Sequence, residues 1–254
     1  MNLNPSTYRN ASHHRTRPAL VLVAHGSRDP RALETVTALA DRVRALRPGL
    51  PVRLGHIELN APLLPDTLAA LGDGAEAVLV PLLLSRGYHV KQDIPEMAAA
   101  SGVRTRLAAP LGPHPLLVET LVTRLTEAGW TRGDAVVLAA AGSRDPEAAV
   151  DTGHTADLLS ARLGGVPVVP AYASAAKPTV PEAVAALRAR GHRRVAIASY
   201  FTAPGRFATE SAQASPTLAA APLGPHPAMA HLILHRYDEA RKTAPLKRTL
   251  AALT

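Results

Sequence analysis

Val21-Leu22-Val23-Ala24-His25-Gly26-Ser27-Arg28-Asp29-Pro30 returns 116 positions later as Val137-Leu138-Ala139-Ala140-Ala141-Gly142-Ser143-Arg144-Asp145-Pro146. The same shift lays Leu50-Pro51-Val52 on Val166-Pro167-Val168, and Pro62-Leu63-Leu64-Pro65 on Pro178-Thr179-Val180-Pro181. Leu111-Gly112-Pro113-His114-Pro115 comes back as Leu223-Gly224-Pro225-His226-Pro227, four residues closer. The chain is therefore an internal duplication that keeps its turns but replaces His25 by Ala141. Such asymmetry points to one working site and one retired site.

Working outward, Ala19–Ala24 is a short apolar run ending at His-Gly-Ser, the pattern of a strand buried on both faces of a parallel sheet. Leu33, Val36, Leu39, Ala40, Val43 and Leu46 then recur at helical spacing over Arg31–Leu46. Ser27 or Asp29 can cap that helix, with Pro30 in its first turn. The alternation continues with strands expected at Val52–Leu59, Ala77–Leu84 and Val103–Ala108. Helices are expected at Leu63–Leu71, Asp93–Ala100 and Leu116–Ala128. The second unit repeats the plan, with strands at Ala135–Ala140, Pro167–Ala171, Val195–Tyr200 and Thr217–Ala221. Strand–helix alternation of this kind gives an α/β fold, here two tandem domains, each a four-stranded parallel sheet flanked by helices. The expected divisions are a disordered leader at 1–17, domains at 18–130 and 134–236, and a basic C-terminal tail at 237–254.

The 254 residues suffice for two cores, but aromatics are only 3%, so packing rests on Ala, Val and Leu. Base-stacking platforms are thereby disfavoured. Absence of cysteine excludes disulfides, thiol nucleophiles and thiolate metal sites. The net charge of +8 is concentrated at the ends: residues 1–18 and 236–254 carry +3 each, leaving about +2 on the body. A basic footprint for nucleic acid is therefore not expected. No uninterrupted apolar stretch reaches the about 18 residues of a membrane span, and no secretory pattern opens the chain. A cytoplasmic protein, a monomer with pseudo-dimeric architecture, is expected.

In an open α/β sheet, ligands bind beyond the carboxyl ends of the strands. His25 follows the first strand, Glu58 falls at the end of the second, and His89 follows the third. Two imidazoles and a carboxylate on one rim suit a first-row divalent ion such as iron, cobalt or nickel, with coordination positions left open. The second unit is an internal control: His25 aligns with Ala141, Glu58 with Ser174, and His89 with Arg206 or Phe207. All three donors vanish together, while Gly26, Ser27, Asp29, Pro30, Pro62 and His114 persist as turns and caps do. His114 and His226 therefore read as helix-entry groups. His56 shares a strand face with Glu58 and is either a buried strand histidine or a ligand contact. Arg28, repeated as Arg144 beside an aspartate, reads as a local ion pair. Arg86 and Lys91 flank His89 without clear counterparts, and are either contacts for an anionic substrate or solvated surface groups.

At these residues the chain resembles the sirohydrochlorin chelatases, small ATP-independent enzymes that insert a divalent metal into sirohydrochlorin. The resemblance rests on Ala24-His25-Gly26-Ser27, on Glu58-Leu59 followed by Pro62-Leu63-Leu64, and on Pro81-Leu82-Leu83-Leu84 leading into Gly87-Tyr88-His89 with Asp93-Ile94-Pro95. It covers residues 18 to about 235 and is similar to the two-domain form, two chelatase-like domains in tandem. It implies metal binding by His25 and His89 and proton handling by Glu58; Ser27, Arg86 and Lys91 stand beside them as candidate substrate contacts. It also implies cobalt, iron or nickel as substrate, with no permanently bound cofactor, and sirohydrochlorin as partner in the branch toward sirohaem or cobalamin.

Two rivals remain at this stage. One is a non-catalytic tetrapyrrole or metal carrier on the same fold. The other is a phosphohistidine phosphatase or mutase, which resembles Arg-His-Gly at this turn; here Ala24 stands where the phosphate-clamping arginine belongs. No Gly-x4-Gly-Lys-Ser/Thr run occurs, so nucleotide hydrolysis is not implied.

Overall fold

The computed structural model describes residues 17–214 and 218–246. The chain runs β1 (Ala19–Ala24), α1 (Pro30–Leu46), β2 (Val52–His56), α2 (Leu64–Ala69), β3 (Glu76–Pro81), α3 (Ile94–Ala99), β4 (Arg104–Leu107) and α4 (Pro115–Glu127). It then repeats as β5 (Ala135–Ala140), α5 (Pro146–Arg162), β6 (Val168–Tyr172), α6 (Val180–Ala189), β7 (Val195–Tyr200), α7 (Arg206–Gln213), β8 (Leu218–Ala219) and α8 (Pro227–Ala240). Two four-stranded parallel sheets result, ordered β2-β1-β3-β4 and β6-β5-β7-β8. In each, the chain leaves the first strand for one side and returns on the other, so the switch point lies between β1 and β3, and between β5 and β7. That is where an open parallel sheet leaves a crevice for a ligand.

The strands form where the apolar runs predict. Every residue of β1 and of β5 is buried. Alternate side chains serve two cores, as the two-residue period of a strand requires. Leu20 and Leu22, with Val136 and Leu138, join one central cluster shared by both halves. Val21 and Val23 face an outer core with α2 and α3, and Val137 and Ala139 face one with α6. Helices α1 and α5 start alike: Asp29 accepts from Arg31 N and Asp145 from Glu147 N, each with proline in the first turn. His114 and His226 cap α4 and α8 in the same way, through Nδ1 at 3.1 and 3.2 Å from the Leu116 and Ala228 amides.

Three sequence expectations are corrected. The second strand ends at His56 rather than Leu59; its hydrogen bonds to the first strand's end run on only through Glu58, and Leu59 turns away with a positive φ of 65°. The helix expected from Asp93 is preceded by a π-helical turn over His89–Asp93 that runs straight into α3. The division at 236 cuts α8, which continues to Ala240. Tyr237 is fully buried there, and its hydroxyl donates to Pro18 O at 2.7 Å. Beyond it, Leu246 N donates to Thr105 O at 2.7 Å and Arg106 Nε to Thr243 O at 3.0 Å, so residues up to 246 dock against β4. The leader to residue 16, Thr217 and the stretch from 247 lie outside the described residues.

The halves interlock. The last helix of each crosses to the other: α4 packs on β7 and α5, α8 on β3 and α1, and the two helices on each other. The crossing is fastened by the paired hydrogen bonds of Arg47 to Asp238, at 2.8 and 2.7 Å. Among the described residues, no helix is long and apolar enough to cross a membrane.

Candidate functional site

Past β1 and β2 the parallel ladder runs on for two residues: Ile57 N donates to Ala24 O at 2.9 Å and Glu58 N to His25 O at 3.0 Å. This extension sets His25 and Glu58 side by side, with His25 Nδ1 3.6 Å from Glu58 Oε1. Gly26 must be glycine here. Its φ is +104°, and a Cβ on it would lie 1.9 Å from the Glu58 carbonyl oxygen. The π-helical turn after β3 brings in His89, whose ring meets that of His25 edge to face with centroids 4.7 Å apart. The three donors expected from the sequence therefore converge on the switch point of the first sheet.

Their hydrogen bonds fix which nitrogens are available. His89 Nδ1 lies 2.5 Å from Asp93 Oδ2, one helical turn on. A carboxylate there accepts a hydrogen bond from Nδ1–H, which leaves the Nε2 lone pair free, the usual orienting partner of a metal-binding imidazole. His25 Nδ1 faces the Gly26 carbonyl at 3.2 Å, and a carbonyl only accepts, so its Nε2 is likewise left as donor. Glu58 and His25 remain about half exposed, open to incoming ligand and to water. Among the described residues, no group of three or more His, Asp and Glu is placed to hold a metal ion.

The site opens onto a cleft of about 1160 Å³ whose walls come from both halves. That exceeds the usual range for small-ligand pockets, roughly 300–1,000 Å³, and leaves room for a macrocycle. Leu59, Tyr88, Phe201 and Phe207 supply broad apolar surface. Opposite the live rim stand Ala141 and Ser174, the replacements for His25 and Glu58. The halves meet reciprocally at two glycines: a Cβ on Gly87 would approach Ser143 Oγ to 3.5 Å, and one on Gly205 would approach Ser27 Oγ to 3.7 Å. This pairs Gly87 with Gly205, and hence His89 with Phe207, resolving the alternative left by the sequence.

Other expected residues land differently. Ser27 lines the cleft, but its Oγ accepts from Asp29 N at 3.1 Å, as Ser143 does from Asp145 N. Arg86 and Lys91 lie outside the cleft lining, their charges taken by carboxylates of the second half: Arg86 Nη2 is 2.6 Å from Asp151, and Lys91 Nζ is 2.6 Å from Asp145 and 2.5 Å from Glu147. The hydrogen bonds from Asp145 and Glu147 raise the Lys91 pKa, and the Lys91 ammonium lowers that of Asp145. Arg28 forms no local ion pair. Arg31 takes Asp29 instead, at 2.6 Å, and Arg28 lines the cleft without a salt-bridge partner among the described residues. Arg206, stacked on Phe207 and 3.7 Å from the exposed Glu210 carboxylate, is the second arginine of the lining. His56 is buried in the cleft floor, with Nδ1 3.1 Å from Pro62 O and Nε2 without a partner. Asp93 was legible only as part of a motif; its spacing of four from His89 on a helix was the available signal.

Fold and site together define a class: a duplicated parallel α/β protein with a histidine–carboxylate site on one half only. The chain belongs to the CbiX family, whose profile matches residues 19–128 and again 135–240. It is 27% identical over 236 residues to the sirohydrochlorin ferrochelatase of Priestia megaterium, covering 86% of this chain and 88% of that one. To the sirohydrochlorin ferrochelatase of Bacillus subtilis it is 31% identical over 175 residues, 65% of this chain and 67% of that one. The fold matches that of SirB from Bacillus subtilis with Fe3+, with a TM-score of 0.73 at 24% identity, over 89% of this chain and 96% of that one.

Proposed function

We propose that this protein inserts a divalent metal ion, cobalt or iron and in principle nickel, into sirohydrochlorin without ATP. The observation that carries the proposal is the edge-to-face contact of His25 and His89 at 4.7 Å, with Glu58 3.6 Å from His25, at the mouth of a two-walled cleft. The two Nε2 donors hold the incoming ion, and positions not filled by them accept the macrocycle nitrogens. As the ion exchanges the two imidazoles for the four macrocycle nitrogens, two pyrrole N–H bonds break and two protons leave. Glu58 takes them in turn as general base and passes them to water, which its exposure permits. Holding ring and ion face to face converts an encounter into a positioned reaction. Arg28 and Arg206, one on each wall, replace Arg86 and Lys91 as partners for the carboxylates of the substrate. A single chain supplies both walls, so a monomer suffices.

The test is anaerobic absorbance of sirohydrochlorin with Co2+ or Fe2+ and catalytic amounts of protein. Turnover above the spontaneous rate is expected, and His25→Ala and His89→Ala should each abolish most of it. Stoichiometric binding without turnover would refute the enzyme and leave the carrier. Arg28→Ala and Arg206→Ala should raise KM for sirohydrochlorin, by about tenfold for a charge-assisted contact of 1.5 kcal/mol, while leaving kcat nearly unchanged.

A further inference from the structure

The second half touches the first most specifically along the segment from Leu82 to Lys91, which ends in the His89 turn. Thr202 Oγ1 donates to Leu82 O at 2.9 Å, and Tyr200 OH to Leu84 O at 2.9 Å. Tyr200 is buried and also meets Thr155 Oγ1 at 3.1 Å, so its hydroxyl cannot swing away. The carboxylate of Asp151, 4% exposed, receives Arg86 N at 2.8 Å as well as Nη2 at 2.6 Å. A buried charge so fully hydrogen-bonded specifies one geometry, since moving its partner would leave it unpaired. Lys91, two residues beyond His89, is held by Asp145 and Glu147 at the start of α5.

The reverse grip is missing. With Gly87 paired to Gly205, the counterparts of Arg86 and Lys91 are Pro204 and Thr209, which carry no charge. The counterparts of Asp145, Glu147 and Asp151 on α1 are Asp29, Arg31 and Thr35. Asp29 and Arg31 pair with each other, and Thr35 bonds within its own helix to Arg31 O. Among the described residues, no side chain of the first half hydrogen-bonds to the segment 201–206.

We propose that the retired half has become the frame that positions His89, with Asp151, Asp145 and Glu147 gripping Arg86 and Lys91 on either side of it. These are positioning residues: they act through the backbone that bears His89. The inference rests on the reading of His89 as a metal donor. Asp93 orients the ring from within the turn, and the second half fixes where the turn stands.

The experiment compares full-length wild type with Asp151→Asn, Lys91→Met, Lys91→Arg and Asp238→Asn, reading Co2+ affinity by absorbance, kcat, KM and Tm. Displacing a ligand-bearing turn by a fraction of an ångström should weaken Co2+ binding and lower kcat by about tenfold in Asp151→Asn and Lys91→Met, with KM for sirohydrochlorin within about twofold. Lys91→Arg keeps both ion pairs and should restore both quantities. Asp238→Asn breaks the α1–α8 ion pair far from the loop and should lower Tm alone. If Asp151→Asn does not fold, the exposed Lys91→Met decides. Variants that lose Tm as Asp238→Asn does, yet keep wild-type Co2+ affinity and kcat, would overturn the inference. A wild type that neither binds Co2+ nor turns over would instead overturn the chelatase reading beneath it.

Discussion

Gly26→Ala and Gly142→Ala are a matched pair of perturbations, equal in structure and unequal in consequence. Gly26 has φ +104° and its added Cβ would lie 1.9 Å from Glu58 O; Gly142 has φ +90° and its Cβ would lie 1.8 Å from Ser174 O. Holding a non-glycine residue at positive φ costs about 1–3 kcal/mol. Carbon contacts are optimal near 3.5 Å, so each carbonyl must withdraw by about 1.5 Å. Together these set a loss of about 2–4 kcal/mol for either variant, which lowers Tm by about 5–15 °C in a body of this size. The activities should part. Withdrawing the Glu58 carbonyl weakens the hydrogen bond from the Glu58 amide N–H to His25 O and drags the base from its histidine, and misplacement by about 1 Å can cost about a hundredfold in rate. Withdrawing the Ser174 carbonyl moves no donor. Calorimetry paired with anaerobic metal insertion well below Tm reads both effects. Equal loss of kcat in the two folded variants would refute the division into one live and one retired site.

Three further outcomes follow from the same geometry. Glu58→Gln should slow insertion strongly while leaving Co2+ affinity within a few-fold, since it removes a proton acceptor and neither imidazole; a parallel loss of both would assign Glu58 to the ion. His226→Ala removes an α8 cap and should cost about 1 kcal/mol of stability with kcat unchanged. The bonds from Arg47 lower the pKa of Asp238 in the folded protein, so their stabilisation is present above the unfolded carboxylate value of about 3.9 and is lost as pH falls through the folded value. The Tm difference between wild type and Arg47→Met should therefore be constant near neutrality and vanish in acid; a difference that persists at the lowest pH would assign the loss to packing.

The repeat, the strand–helix alternation and the meeting of His25, Glu58 and His89 at one sheet edge were readable because each rests on local pattern. Apolar runs mark buried strands, Asp-Pro marks helix starts, and a residue just past a parallel strand must lie at its carboxyl edge. Comparison with the second half separated His25 from His114, since the cap recurs as His226 while His25 is replaced by Ala141. What escaped depends on contacts between distant segments. Arg86 and Lys91 read as free cations because Asp145 and Asp151 lie some sixty residues away. Arg28 was assigned the ion pair that Arg31 makes, because which of two nearby arginines turns back to Asp29 depends on the helix start rather than on adjacency. The crossing of α4 and α8 leaves no periodic mark, since an apolar stripe does not say which sheet it covers.

That crossing makes the short connection between α4 and β5 dispensable once the protein has folded. Cleaving the backbone within 129–134 would yield two fragments, each with its closing helix embedded in the other. They should co-migrate on a sizing column and melt in one transition. An ancestor made of two identical separate chains, interlocked in the same fashion, would have needed only a gene fusion to free one of its copies from selection on its histidines.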